Sequence, residues 1–164
     1  MNLLHRLTNL EYNKIKVHYK YLKGVSGSHS TAFVFDPTIP QITEGTRVVQ
    51  LTFTPSKYSK KLIIHCEVHI AELTNVASLS GAALFLNDGT NAIISAGHAL
   101  QRSDGLDEAR LVFTHIIDST PGKLMTLELR AGLNATGYYF NTVAGSADDN
   151  FGETIQSGIV VLEI

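Results

Sequence analysis

The chain has one cysteine, no tryptophan and four prolines among its 164 residues. A single thiol excludes an intrachain disulfide, so packing alone must hold the fold. Cys66 sits at an apolar position of an alternating run and reads as a buried structural thiol. The prolines (Pro37, Pro40, Pro55 and Pro121) all fall between apolar runs, where a missing backbone donor does least harm. No apolar run approaches the roughly 20 residues needed to cross a bilayer as a helix. The N-terminal stretch lacks the continuous apolar segment and cleavage site of a secretion signal. The expectation is a soluble protein made in a cytoplasm, without membrane insertion. A net charge of -2, with only 17% charged residues, gives no reason to expect a nucleic-acid partner.

Signatures of chemistry are missing as well. There is no Gly-x-Ser-x-Gly elbow, no paired-carboxylate motif in a recognisable setting, and no glycine-rich loop leading into a helix. The sequence therefore predicts no catalytic activity and no cofactor.

What the chain does have is period-2 alternation. In Arg47–Ala71, Val49, Leu51 and Phe53 share one face of a first run. Leu62, Ile64, Cys66, Val68 and Ile70 share one face of a second. Successive side chains of a strand point to opposite sides, so each run reads as a strand with one buried face. Pro55 and the polar Ser56–Lys60 stretch between them predict an antiparallel hairpin. Further strands are expected at Thr31–Phe35, Gly81–Leu86, Asn91–Ala96, Ala109–Ile117, Leu124–Ala131, Tyr138–Val143 and Ile155–Ile164. Asn87-Asp88-Gly89-Thr90 marks a tight turn. About eight to ten short strands with Gly, Asn, Asp and Pro between them predict an all-β antiparallel sandwich of one domain.

The first 23 residues differ from the rest. Leu3, Leu7 and Leu10 recur at helical spacing; Ile15, Val17, Tyr19 and Tyr21 then alternate with Lys14, Lys16, His18 and Lys20. Five basic residues stand against Glu11 alone, so the remainder carries the acidic balance. Residues 24–30 (GVSGSHS) have linker composition. This divides the chain into a helix-and-strand arm (1–23), a linker (24–30) and a head (31–164). A stripe as short as Leu3–Leu10 is a marginal helix alone, which makes the arm a docking element: Leu3, Leu7 and Leu10 with Lys14, Lys16 and Lys20 facing an acidic partner.

Two further sets of residues are candidates for binding. His65, Glu67 and His69 project from one strand face and are metal-ligand types, but alternate strand residues lie roughly 6–7 Å apart, so an ordinary polar face is expected and no metal site is assigned. Tyr138, Tyr139 and Phe140 offer stacking surface, of which alternation must turn part inward.

IPQITEG (39–45), LTFTP (51–55), KKLIIHCEV (60–68), ALF (83–85), LELRAG (127–132) and SGIVVLEI (157–164) together resemble the jelly-roll module of bacteriophage tail-fibre and other virion structural proteins. That module is similar in fold to the trimeric tumour-necrosis-factor and complement-type heads. The resemblance covers residues 31–164. It implies a trimer displayed on a virus particle, without catalysis, and a role in receptor attachment at a tail fibre or tail tip. Tyr138 and Tyr139 would then face a host glycan or protein, and the arm would dock on another virion protein. With only a short arm before the head, a capsid decoration or cement protein fits as well. The terminal strand SGIVVLEI, apolar on both faces, also predicts a homotrimer with an apolar interface.

Overall fold

A computed structural model describes residues 15–24, 28–72, 78–100, 108–134, 137–142 and 156–164 of the protein. They form nine strands: β1 (Lys16–Leu22), β2 (Thr46–Phe53), β3 (Lys61–Glu72), β4 (Ser78–Leu86), β5 (Ile94–Leu100), β6 (Glu108–Asp118), β7 (Met125–Leu133), β8 (Tyr138–Phe140) and β9 (Ser157–Glu163). The expected helix around Leu3, Leu7 and Leu10 lies outside the described residues, as does Lys14.

Two antiparallel sheets face one another. The first has the order β1-β9-β3-β6, with β8 also paired to β3; the second has the order β2-β7-β4-β5. With β8 set aside, the chain crosses between the sheets at every connection except the β4–β5 hairpin, which is the jelly-roll topology. The core lies between the sheets. Leu62, Ile64, Cys66, Val68 and Ile70 of β3, with Ile159 and Val161 of β9, meet Val49, Leu51 and Phe53 of β2 and Leu127 and Leu129 of β7. On β2, β3 and β7 these side chains occupy the apolar parity of the strand, whereas β9 is apolar on both.

The expected β2–β3 hairpin does not form. β2 pairs with β7, while β3 pairs with β6 and β9 in the opposite sheet. Pro55 and Ser59 are buried, and residues 54–60 carry the chain across the end of the sandwich. In a hairpin the two apolar faces lie side by side on one sheet; here they face each other across the core, which buries both. The β4–β5 hairpin does form. Asn87 (φ 51°) and Asp88 (φ 58°) are both left-handed and Gly89 N–H donates to Leu86 O at 3.0 Å, so Asn-Asp occupies the central positions of the turn.

The strand expected at Thr31–Phe35 is instead a strap across the outer side of the second sheet, held by Phe33 N–H to Leu133 O (2.9 Å) and Gly45 N–H to Ala32 O (2.9 Å). Phe33 packs with Ala83, Phe85, Ile42 and Ala92 in a second, smaller core. Gly81 leaves the space: a Cβ there would sit 2.6 Å from Phe33 Cδ1. Covered on both sides, β4 is consequently buried along most of its length.

Candidate assembly surface

β1 is the point where the structure departs furthest from the sequence. Residues Lys16–Leu22 are the edge strand of the first sheet, in unbroken register with β9 from Lys16↔Glu163 to Leu22↔Ser157. The strand half of the expected docking arm is therefore part of the sandwich. A latch holds its end: Asn141 Nδ2 donates to Leu22 O (2.9 Å) and Gly24 O (3.0 Å), and Asn141 Oδ1 accepts from Ser157 Oγ (2.6 Å). At the other end Glu163 accepts from His18 Nε2 (2.5 Å) and Ser56 N–H (2.8 Å), with Lys16 Nζ 3.7 Å away. Burial pushes the Glu163 carboxyl up, but these bonds and the Lys16 charge outweigh it and hold the group below the usual carboxylate range.

The orientation of β1 reverses the usual rule. Its polar parity, Lys16, His18 and Lys20, turns toward the edge of the sandwich, where His18 lies 4.5 Å, centroid to centroid, from the Phe53 ring. Its apolar parity turns outward: Ile15 is 66% exposed, Tyr19 65% and Val17 49%. The register shows why. Val17 pairs with Leu162 and Tyr19 with Val160, both on the outward parity of β9, because Ile159 and Val161 fill the core.

Across the outer face of the first sheet these residues form rows. Val17, Leu162, Ile63 and Ile116 stand side by side on β1, β9, β3 and β6. The next row is Tyr19, Val160, His65 and Thr114; the next is Tyr21, Gly158, Glu67 and Val112. Tyr21 lies over Gly158, where a Cβ would collide with its ring. Ile116 (57%) and Val112 (45%) are exposed. At strand spacing, three rows of four cover roughly 400 Å² of sheet face, apolar except at His65, Thr114 and Glu67. One end is closed by the Lys61–Asp118 ion pair (2.6 Å). At the other, Glu67 accepts from Arg110 Nε (2.6 Å) and His69 Nε2 (2.7 Å). Burial raises the Glu67 carboxyl, but the two bonds outweigh it and the group lies below its ordinary range.

The residues expected to bind partners are divided by this arrangement. Tyr138 is fully buried, its hydroxyl bonded to Thr46 Oγ1 (2.9 Å) and donating to Thr31 O (2.7 Å), so it cannot face a receptor. The β8 parity that points Tyr138 and Phe140 inward leaves Tyr139 half-buried on the other side. Lys16 and Lys20 are exposed, but on a strand already paired within the chain. His65 Nδ1 bonds Thr114 Oγ1 at 3.1 Å and His69 bonds Glu67, so the two imidazoles engage different partners. Among the described residues, no group of three or more His, Cys, Asp or Glu side chains is placed to hold a metal ion. A recess of about 330 Å³ between Thr38–Pro40 and Ala92–Ser95 is lined by no titratable side chain.

The outward apolar residues Ile63, Val112 and Ile116 were not singled out by the sequence reading. Their signal was present nonetheless: β3 and β6 each carry apolar residues on both parities, as β9 does.

No protein-family model matches the chain, and no curated protein matches it in sequence. Among solved structures, it is similar to dimeric latent PorU from Porphyromonas gingivalis, with 11% identity over 91% of this chain and a TM-score of 0.49. The chain spans only 12% of that protein. It is also similar to the TNF protein Eiger of S. frugiperda, with 9% identity over 92% of both chains and a TM-score of 0.45. The jelly-roll assignment rests on the strand order itself.

Proposed function

We propose that this protein is a non-enzymatic structural component of a bacteriophage particle, a jelly-roll head that assembles as a homotrimer and is displayed for host attachment. One observation carries the assembly half of this reading: the outer face of the first sheet exposes Val112 and Ile116 and is extended by a β1 strand whose apolar side, Val17 and Tyr19, faces away from its own core. A lone domain gains nothing from that orientation, because Val17, Tyr19 and Ile116 remain in water. A second and third copy seated on the face would bury them, at roughly 25 cal/mol per Å² of apolar area. The virion half rests on the six segments that resemble phage virion modules. Capsid decoration is the second reading. The burial of Tyr138 favours it, since only Tyr139 of the two expected receptor aromatics retains exposure.

Light scattering on the full chain at low micromolar concentration tests the assembly, with three times the chain mass as the expected result. Ile116→Asp should give folded monomer, because an aspartate in the apolar row would be buried without a partner. A wild-type monomer, or a trimer that Ile116→Asp leaves intact, would overturn this use of the face. Labelling of phage particles with an antibody to the chain, viewed by electron microscopy, tests the location: tail tip supports attachment, shell supports decoration, and absence from particles refutes both.

A further inference from the structure

We propose that one end of the sandwich is an adhesion surface for anionic lipid bilayers, built on the connections 54–60 and 119–124. The inference goes beyond the assembly reading and uses none of the residues in the three rows.

Backbone hydrogen bonds knit this end together. Gly122 N–H donates to Pro55 O (3.0 Å), and Ser119 N–H donates to Lys60 O (3.0 Å). Lys60 N–H (2.9 Å) and Lys61 N–H (3.0 Å) both donate to Ile164 O. Asn87 N–H donates to Thr126 O (2.8 Å), which brings the β4–β5 turn to the same end. The pairing of Lys16 with Glu163 brings the start of β1 there too.

Two kinds of side chain stand exposed on this surface. Ile15, Tyr58, Leu124 and Ile164 are apolar, and Leu124, at 69%, is the most exposed large apolar residue described. Among them are the exposed Lys16, Lys57, Lys60, Lys61 and Lys123, with Lys57 Nζ 4.8 Å from the centre of the Tyr58 ring. The side-chain carboxylates at this end are Asp88, Asp118 and Glu163. Asp118 pairs with Lys61 at 2.6 Å, and Glu163 is buried and engaged by His18 and Ser56. The end is therefore rich in lysine on a chain whose net charge is -2.

That combination selects the partner. A second copy of the chain would set lysines against lysines, so the partner is anionic. Every cation at this end is a lysine. An ammonium meets lipid phosphates as a point charge while its stem lies along apolar surface, whereas the planar fork of arginine suits the bidentate contacts of a protein partner. The surface also protrudes rather than forming a groove: a Cβ at Gly122, in the β6–β7 turn, would meet nothing within 4 Å. Protruding apolar groups ringed by lysines need no complementary shape. A bilayer interface accepts the apolar groups at its acyl boundary and the ammoniums among its anionic headgroups. Contact of this kind is adhesion to the surface and requires no membrane-spanning segment.

Co-sedimentation of the full chain with vesicles at about 0.1 M salt provides the test. One set is phosphatidylcholine alone, and the other contains about one-third phosphatidylglycerol. Binding to the anionic vesicles only is expected. Each lysine near such a surface contributes about fivefold, so Lys60→Ala combined with Lys123→Ala should weaken binding about thirtyfold. Leu124→Ser should weaken it about tenfold. All three side chains are exposed, so circular dichroism should show both variants folded. No binding to anionic vesicles, or equal binding to both sets, overturns the inference. Binding that the lysine variant leaves unchanged overturns it too, because the contact then lies elsewhere on the chain. Binding that the lysine variant weakens but Leu124→Ser does not overturns the lipid assignment and makes the surface a site for an acidic macromolecule.

Discussion

Asn141 offers the sharpest check on how β1 is held. It is 2% exposed, left-handed (φ 59°), and its side chain makes three hydrogen bonds that join β1, β8 and β9: to Leu22 O, to Gly24 O and from Ser157 Oγ. Each neutral bond contributes about 1 kcal/mol net, so removing three costs about 3 kcal/mol. Alanine also tolerates the left-handed backbone less well than asparagine, by about 1 kcal/mol. Asn141→Ala should therefore lose about 4 kcal/mol of unfolding free energy, and Asn141→Gly, which accepts the backbone but not the bonds, about 3 kcal/mol. Urea denaturation at one fixed protein concentration measures both, since assembly would make stability concentration-dependent. Hydrogen exchange locates the effect, and amides of Lys16–Leu22 should lose protection first. A loss under 1 kcal/mol in both variants, or a loss with β1 protection unchanged, would refute the latch.

Three other outcomes are expected. Glu163 has a folded-state pKa held below its unfolded value, so its contribution is present above the unfolded value and is lost as pH falls through the folded one. Acid unfolding below about pH 5 should be less steep in Glu163→Gln than in wild type, although the variant is less stable at pH 7. The Cys66 thiol is fully buried and pushed up to about 12, so it should resist alkylation at pH 8 in the native protein and react at once in denaturant. Gly81→Ala should destabilise by about 1–3 kcal/mol in thermal or urea unfolding, because the added methyl meets the buried Phe33 ring.

The amino-acid sequence by itself determined most of the strands, which side chains share a face in each, and one of the turns. Alternation is a local property: Leu62, Ile64 and Cys66 must share a side whatever they pair with, and Asn87-Asp88-Gly89 must turn. The same locality explains the sandwich class and the burial of Cys66. Pairing is not local. Nothing in residues 47–71 states that β2 and β3 belong to opposite sheets; that follows from β7 and β9, which arrive more than 70 residues later. Nor does alternation say which face of a strand points in. Ile15, Val17, Tyr19 and Tyr21 were recognisable as one face, and the basic residues as the other. Only the register with β9 sends the apolar face outward, because Ile159 and Val161 had already claimed the core side of that strand. Tyr138 shows the same limit: two tyrosines in succession must point opposite ways, but the side on which Thr46 and Thr31 wait is set by the folded sheet pair. The candidate interface is thus assembled from four strands far apart in the chain, and a surface of that kind exists only once the sheet has formed.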